Sequence, residues 1–111
     1  MNSVVVTGVG SGLGLAALSR LADDGYYVVG IEISDSGAAF AEGQLRGRGE
    51  ILQGDVADRA VLATAAQRAR ANAPLTSWVN NAGIALSGNL HDPNPTEVDR
   101  VFAVNLQGMF W

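Results

Sequence analysis

The sequence predicts an α/β fold of three layers, α/β/α, around a parallel sheet of about four strands in the order 3-2-1-4. Short β-branched runs alternate with longer segments of helical periodicity along the chain, the pattern of parallel strands joined by right-handed crossovers. The first run, Ser3 to Thr7 (SVVVT), is nearly all apolar, as a strand covered on both faces must be. It stops at a glycine-rich stretch that opens a helix, and in such sheets ligands gather at the carboxyl ends of the strands.

Each further element has a local signal. Leu15, Leu18, Leu21 and Ala22 recur at helical spacing, and Gly25 stands where a helix end favours positive φ. Tyr27 to Ile33 (YVVGIEI) reads as the second strand and Ile51 to Val56 (ILQGDV) as the third, with a weakly helical, glycine-containing segment from Asp35 to Gly49 between them. Asp58 can cap a helix from Arg59 to Asn72 that stops ahead of Pro74. Trp78 and Val79 lead a fourth apolar stretch into Asn80, Asn81, Ala82 and Gly83. Ile84 to Pro95, with Gly88, Pro93 and Pro95, reads as loop. Thr96 then caps a last helix with Val98, Val101, Phe102, Asn105 and Met109 along one side. That helix ends on Phe110 and Trp111 with no closing glycine or proline and no basic last turn, so the sequence reads as cut rather than finished.

A chain of 111 residues and 11.5 kDa accommodates one domain and not two. Hydrophobic residues make up 48% and charged residues 16%, enough apolar side chain for a core and too little charge for disorder. A net charge of −4 argues against nucleic acid as partner. All seven basic residues are arginines, which excludes a P-loop lysine, a Schiff base and a lysine-assisted tyrosine from this chain. Without cysteine and with a single histidine, disulfides, thiolate catalysis and a Cys/His zinc site are excluded too, and no metal centre is expected. That histidine, His91, lies in a proline-rich stretch and reads as solvated. The opening residues lack a secretory pattern and no apolar run approaches about 18 residues, so the expectation is a cytoplasmic protein with no membrane partner.

Thr7 to Gly14 reads TGVGSGLG between a strand and a helix, the context that turns a glycine cluster into a phosphate-binding candidate. Glycines let the backbone turn sharply and approach a ligand, while the helix start offers unpaired N–H groups to a pyrophosphate. The same residues would also serve as a tight turn packed for its own sake. Glu32 falls roughly 20 residues further on, the offset at which a carboxylate accepts from the ribose hydroxyls of NAD and repels a 2′-phosphate. No arginine follows before Arg46, which favours NAD over NADP. Glu32 could equally be a solvated strand end, and Asp55, at the end of the third strand, could merely cap the next helix.

Taken in order, TGVGSGLG, Asp55 with Val56, NNAG at Asn80 to Gly83, and Asn105 within VNLQG resemble the N-terminal portion of the short-chain dehydrogenases/reductases. That family carries TGxxxGxG, an acidic residue after strand two, an Asp-Val pair, NNAG and a helical Asn. The resemblance covers nearly the whole chain and implies a Rossmann-like domain. It implies that Gly8, Ser11, Gly12, Leu13 and Gly14 contact the cofactor phosphates, Glu32 the adenosine ribose, and Asp55 with Val56 the adenine. Asn81, Ala82 and Gly83 would lie beside the central sheet and the cofactor. Asn105 would belong to the catalytic tetrad and support a water relay to a lysine. Read from the residue alone, Asn105 interrupts an apolar stripe, where an unpaired buried amide costs about 1–3 kcal/mol, and an amide bonded to backbone answers that equally well.

The resemblance further implies a catalytic Ser and a YxxxK pair beyond Trp111, whereas the two tyrosines here, Tyr26 and Tyr27, sit at the second strand. The expectation is therefore that residues 1–111 are the N-terminal part of a single dinucleotide-binding domain, catalytically incomplete as it stands, from an enzyme oxidising or reducing a small alcohol or carbonyl substrate. Substrate choice is not legible. A homo-oligomer is the assembly the family implies. Two other readings stand beside this one: a free-standing nucleotide-binding module that dimerises through the edge of strand four, and an S-adenosylmethionine-binding methyltransferase fragment, against which the absence of an acidic residue near Val6 counts.

Overall fold

The computed structural model describes residues 1–86 and 91–111. Gly88, part of the expected loop, lies outside the described residues. Val4, Val5 and Val6 are fully buried, so β1 (Ser3–Thr7) is covered on both faces as its β-branched run requires. It forms the centre of the sheet, pairing in parallel with β2 (Tyr27–Glu32) on one side and β4 (Leu75–Val79) on the other. β2 pairs in turn with β3 (Gly49–Gln53), giving the expected order β3-β2-β1-β4.

Side chains alternate across a strand, and here the alternation sorts the valines into two cores. Val4, Val6 and Val28 face Leu18 and Ala22 of α1 (Gly12–Asp23) and Ala41 and Leu45 of α2 (Asp35–Leu45). Val5, Val29 and Ile31 face the opposite layer, where Leu62, Ala65 and Ala69 of α3 (Arg59–Asn72) pack with Val104. The three-layer arrangement follows, with the expected spacing of α1 and its Gly25 turn at φ +97.

Several boundaries differ from the sequence expectation, each for a local reason. β2 stops at Glu32 rather than Ile33 because the Glu32 carboxylate accepts from Ser34 N at 3.1 Å and turns the chain into α2, which Ser34 caps. The weakly helical segment is thus a helix, ended by Arg46 and Gly47 at φ 51 and 80. β3 spans Gly49–Gln53, not residues 51–56, since Asp55 Oδ1 accepts from Ala57 N at 2.9 Å in an Asx turn that bends the chain out of the sheet. β4 begins at Leu75 and ends at Val79, before the asparagines; Ser3 N already donates to Pro74 O at 2.7 Å, and the polar Thr76 and Ser77 of this edge strand mask its start.

The last helix departs most. α4 (Pro95–Phe102) is capped by Asn94, not Thr96: the Asn94 side chain accepts from Thr96 N at 3.0 Å and Glu97 N at 3.4 Å, and Pro95 fills the first helical position, where its missing N–H costs nothing. A π-helical segment, Ala103–Gln107, follows, and then a single turn, α5 (Gly108–Phe110). The wider turn shifts the helical phase, so the expected stripe breaks. Val98, Val101 and Asn105 remain half-buried, but Phe102 and Met109 are 58% and 56% exposed while Val104 and Gly108 turn inward. No helix among the described residues is long and apolar enough to cross a membrane.

Candidate functional site

β1 delivers the chain to Gly8 at φ +71, a conformation that favours glycine. Space is tight as well: a Cβ on Gly8 would lie 2.8 Å from Ala82 Cα, and one on Gly14 only 1.9 Å from Gly8 O. The turn is therefore pressed between α1 and the segment leaving β4. Ser11, the residue ahead of α1, makes no capping bond through its side chain, and no acidic residue occupies the first turn. By contrast α2, α3 and α4 are capped by Ser34, Asp58 and Asn94. The N–H groups at the start of α1 thus lack intrahelical acceptors and carry the positive end of its dipole.

The Thr7 hydroxyl ties this turn to the far strand. Only 2% exposed, it accepts from Asn81 N and Ala82 N, both at 3.0 Å, and donates to Val79 O at 3.4 Å. Asn81 Nδ2 adds a bond to Gly8 O at 3.0 Å. Beyond Gly83, Asn105 Nδ2 donates to Ile84 O at 2.7 Å and Oδ1 accepts from Ile84 N at 2.8 Å. The backbone-bonded amide, one of the two readings of Asn105, is what the geometry displays.

Two carboxylates stand at the ends of β2 and β3. Glu32 Oε1 accepts from Gly10 N at 3.0 Å, so the carboxylate holds the glycine turn as well as its own strand exit. Asp55 does not cap α3, since Asp58 does so by accepting from Ala60 N at 3.0 Å. Instead Asp55 Oδ2 receives Arg100 Nη1 at 2.7 Å, reaching across from α4. Partial burial pushes the Asp55 carboxyl up, but the Arg100 hydrogen bond, the Ala57 amide and the Arg100 charge together outweigh it and leave the group below its ordinary value.

These groups enclose a cleft of about 300 Å³ at the carboxyl ends of the strands. Of the residues singled out from sequence, Gly8, Ser11, Glu32, Asp55 and Val56 line it, as do Asn81, Ala82 and Gly83. Ile31, Ile33 and Val104 supply apolar wall. Gly12, Leu13 and Gly14 belong to the first turn of α1 and Asn105 to the π-helical segment, outside the lining; Leu13 is 83% exposed. Thr7 and Arg100 were missed. A buried hydroxyl at the end of a central strand must find partners, which is the signal that marks Thr7. No spacing rule joins Arg100 to Asp55. A dinucleotide fits what is present: an uncapped helix start for a diphosphate, carboxylate acceptors for hydroxyl and amine donors, and apolar side chains among them. Among the described residues no group of three or more His, Asp or Glu could hold a metal ion.

A family model described as short chain dehydrogenase matches residues 2–111. Galactitol 2-dehydrogenase of Rhizobium johnstonii is 43% identical over 113 aligned residues, which cover 96% of this chain and 43% of that protein. The 2-(S)-hydroxypropyl-CoM dehydrogenase 3 of Xanthobacter autotrophicus is 35% identical over 96% of this chain and 44% of its own length. Among solved structures, a 3-ketoacyl-(acyl-carrier-protein) reductase from Brucella melitensis, complexed with NADH, superposes with a TM-score of 0.90 at 29% identity, covering 98% of this chain and 46% of that one. The chain spans less than half the length of these relatives.

Proposed function

Because the chain belongs to the short chain dehydrogenase family, we propose that it is the N-terminal, dinucleotide-binding part of an oxidoreductase that uses NAD and acts on an alcohol or carbonyl substrate. One observation carries this reading: the uncapped start of α1 and the Glu32 carboxylate meet around the same glycine turn, a positive backbone pole beside an acceptor. In this proposal the amides from Ser11 to Gly14, Leu13 among them, receive the pyrophosphate. Glu32 accepts from the ribose hydroxyls through the lone pairs that its two backbone bonds leave. Val56 packs on the adenine with Asp55 at its edge, and Asn81, Ala82 and Gly83 form the floor beyond.

When bound, the nicotinamide supplies hydride exchange with the substrate; the residues of this chain bind and orient it. Asn105 is assigned to the catalytic group by its place in VNLQG, and within this chain its amide fixes Ile84. The preference for NAD over NADP rests on Glu32, whose charge opposes a 2′-phosphate. The NADH complex of the Brucella melitensis reductase supports the cofactor class. Family membership leaves S-adenosylmethionine without support. Calorimetric titration with NAD, NADP and S-adenosylmethionine tests the reading: NAD should bind tightest, and tighter S-adenosylmethionine binding, or none by NAD, would reject it.

A further inference from the structure

Among the described residues Arg100 is the one cation that lines the cleft, and it enters from α4, far in sequence from its partner Asp55. Its Nη1 stands 2.7 Å from Asp55 Oδ2, while Asp55 Oδ1 accepts from Ala57 N at 2.9 Å. A donor on each oxygen fixes the plane of the carboxylate and leaves a lone pair on each for a ligand. The two side chains are 40% and 33% exposed, and pairs so accessible contribute little to folding. Their setting in the cleft wall, beside Val56, gives them a task toward a ligand instead.

Resting on the cofactor reading above, the geometry points to Arg100 as a positioning residue for purine recognition: it holds Asp55 as an oriented acceptor for the exocyclic amine of adenine, and so sets preference for adenine over a 6-oxopurine. The chemistry is one-sided. Adenine presents an N–H donor at its sixth position, which an ionised carboxylate can only accept; hypoxanthine presents a carbonyl there, and acceptor would face acceptor. An Asp55 freed to rotate would discriminate less, because orientation is what makes a charge-assisted bond selective.

The test titrates the intact chain and its Arg100→Ala, Arg100→Lys and Asp55→Asn variants with NAD and with nicotinamide hypoxanthine dinucleotide. Arg100→Ala should weaken NAD by about three- to tenfold and the hypoxanthine dinucleotide much less, collapsing the preference; Arg100→Lys should restore most of it. In the Asp55→Asn background, Arg100→Ala should add no further loss. Equal losses for both nucleotides, an unchanged preference, or full additivity with Asp55→Asn would overturn the assignment of Arg100. Failure of the unaltered chain to bind either nucleotide has a different signature and rejects the cofactor reading together with this inference. Should Arg100→Ala fail to fold, Arg100→Gln, similar in size and polarity, carries the same comparison against Arg100→Lys.

Discussion

The side-chain amide of Asn105 grips the backbone of Ile84 on both sides, donating to its carbonyl at 2.7 Å and accepting from its N–H at 2.8 Å. The pairing imitates one rung of a strand ladder, made by a side chain from a helix. It joins the exit of the NNAG segment to the π-helical segment, whose wider turn sets the helical phase at Asn105. Asn105→Ala should cost about 0.5–1.5 kcal/mol, because the exposed Ile84 groups lose these partners but can turn to water instead. Asn105→Asp should cost at least as much, since a carboxylate would then face the Ile84 carbonyl. Urea denaturation measures the cost, and amide exchange at Ile84 should quicken in both variants; unchanged protection there would show that the pair does not hold the segment.

Two glycine-to-alanine changes should act in opposite directions. At Gly14 the new Cβ would lie 1.9 Å from Gly8 O, a backbone atom that no rotamer change can move aside. Gly14→Ala should destabilise by about 1–3 kcal/mol and weaken NAD binding beyond that, because the turn itself must open. Gly43, inside α2, has nothing within 4 Å of an added Cβ. Gly43→Ala should stabilise by about 0.5–1 kcal/mol through helix propensity. Thermal melts of both variants settle the signs.

What the sequence discloses and what it hides divide along the range of the forces involved. β1, the glycine turn and α1 are legible because burial, positive φ and helical spacing act within a dozen residues; Asp58 as the cap of α3 is of the same kind. The start of β4 is hidden because an edge strand tolerates Thr76 and Ser77, so its pattern weakens where its pairing is sound. The π turn has no compositional mark, and beyond it Met109 faces outward, off the expected stripe, while Val104 within it turns inward. Glu32 was legible as a carboxylate at the proper offset, but not as the acceptor that ties down Gly10. Arg100 meets Asp55 through the fold and not through any local pattern, since one stands on α4 and the other just past β3.

Glu32→Gln separates charge from shape. The amide keeps one acceptor but turns an NH₂ toward Gly10 N or Ser34 N, each of which now donates to a carboxylate oxygen. The glycine turn should loosen and NAD affinity fall by about tenfold, the scale of one charge-assisted bond. NADP should lose less, since the repulsion toward a 2′-phosphate disappears, so the ratio of the two dissociation constants narrows. An unchanged ratio would detach cofactor choice from this residue.

Purified as 111 residues, the chain should bind NAD without turning over alcohols. A tyrosine acid at the cleft is what the residues present do not offer: Tyr27 pairs with Ser3 at the amino end of β1 and Tyr26 precedes it, at the edge of the sheet opposite the cleft. The chain also has no lysine with which to tune such an acid. Robust NAD-dependent oxidation by the pure chain, followed by absorbance of the reduced cofactor, would require another group to act as the acid.

Acid should weaken the clasp between Asp55 and Arg100 in a defined order. The native carboxyl lies below its ordinary value of 3.8, so the stability it contributes is fully present above that value and is lost as pH falls through the lower native one. Arg100→Gln removes the guanidinium bond and charge and leaves partial burial, which pushes the carboxyl up, opposed by the Ala57 amide. The variant should therefore be the less stable at neutral pH, by no more than about 1 kcal/mol given the exposure of the pair. The gap should shrink as acid protonates Asp55 in both proteins, and shrink likewise in molar salt, which screens an accessible pair. Melting temperatures of the two proteins between about pH 2 and 7 measure it. A gap that stays constant across that range would mean that Arg100 stabilises α4 by packing, with Asp55 a bystander.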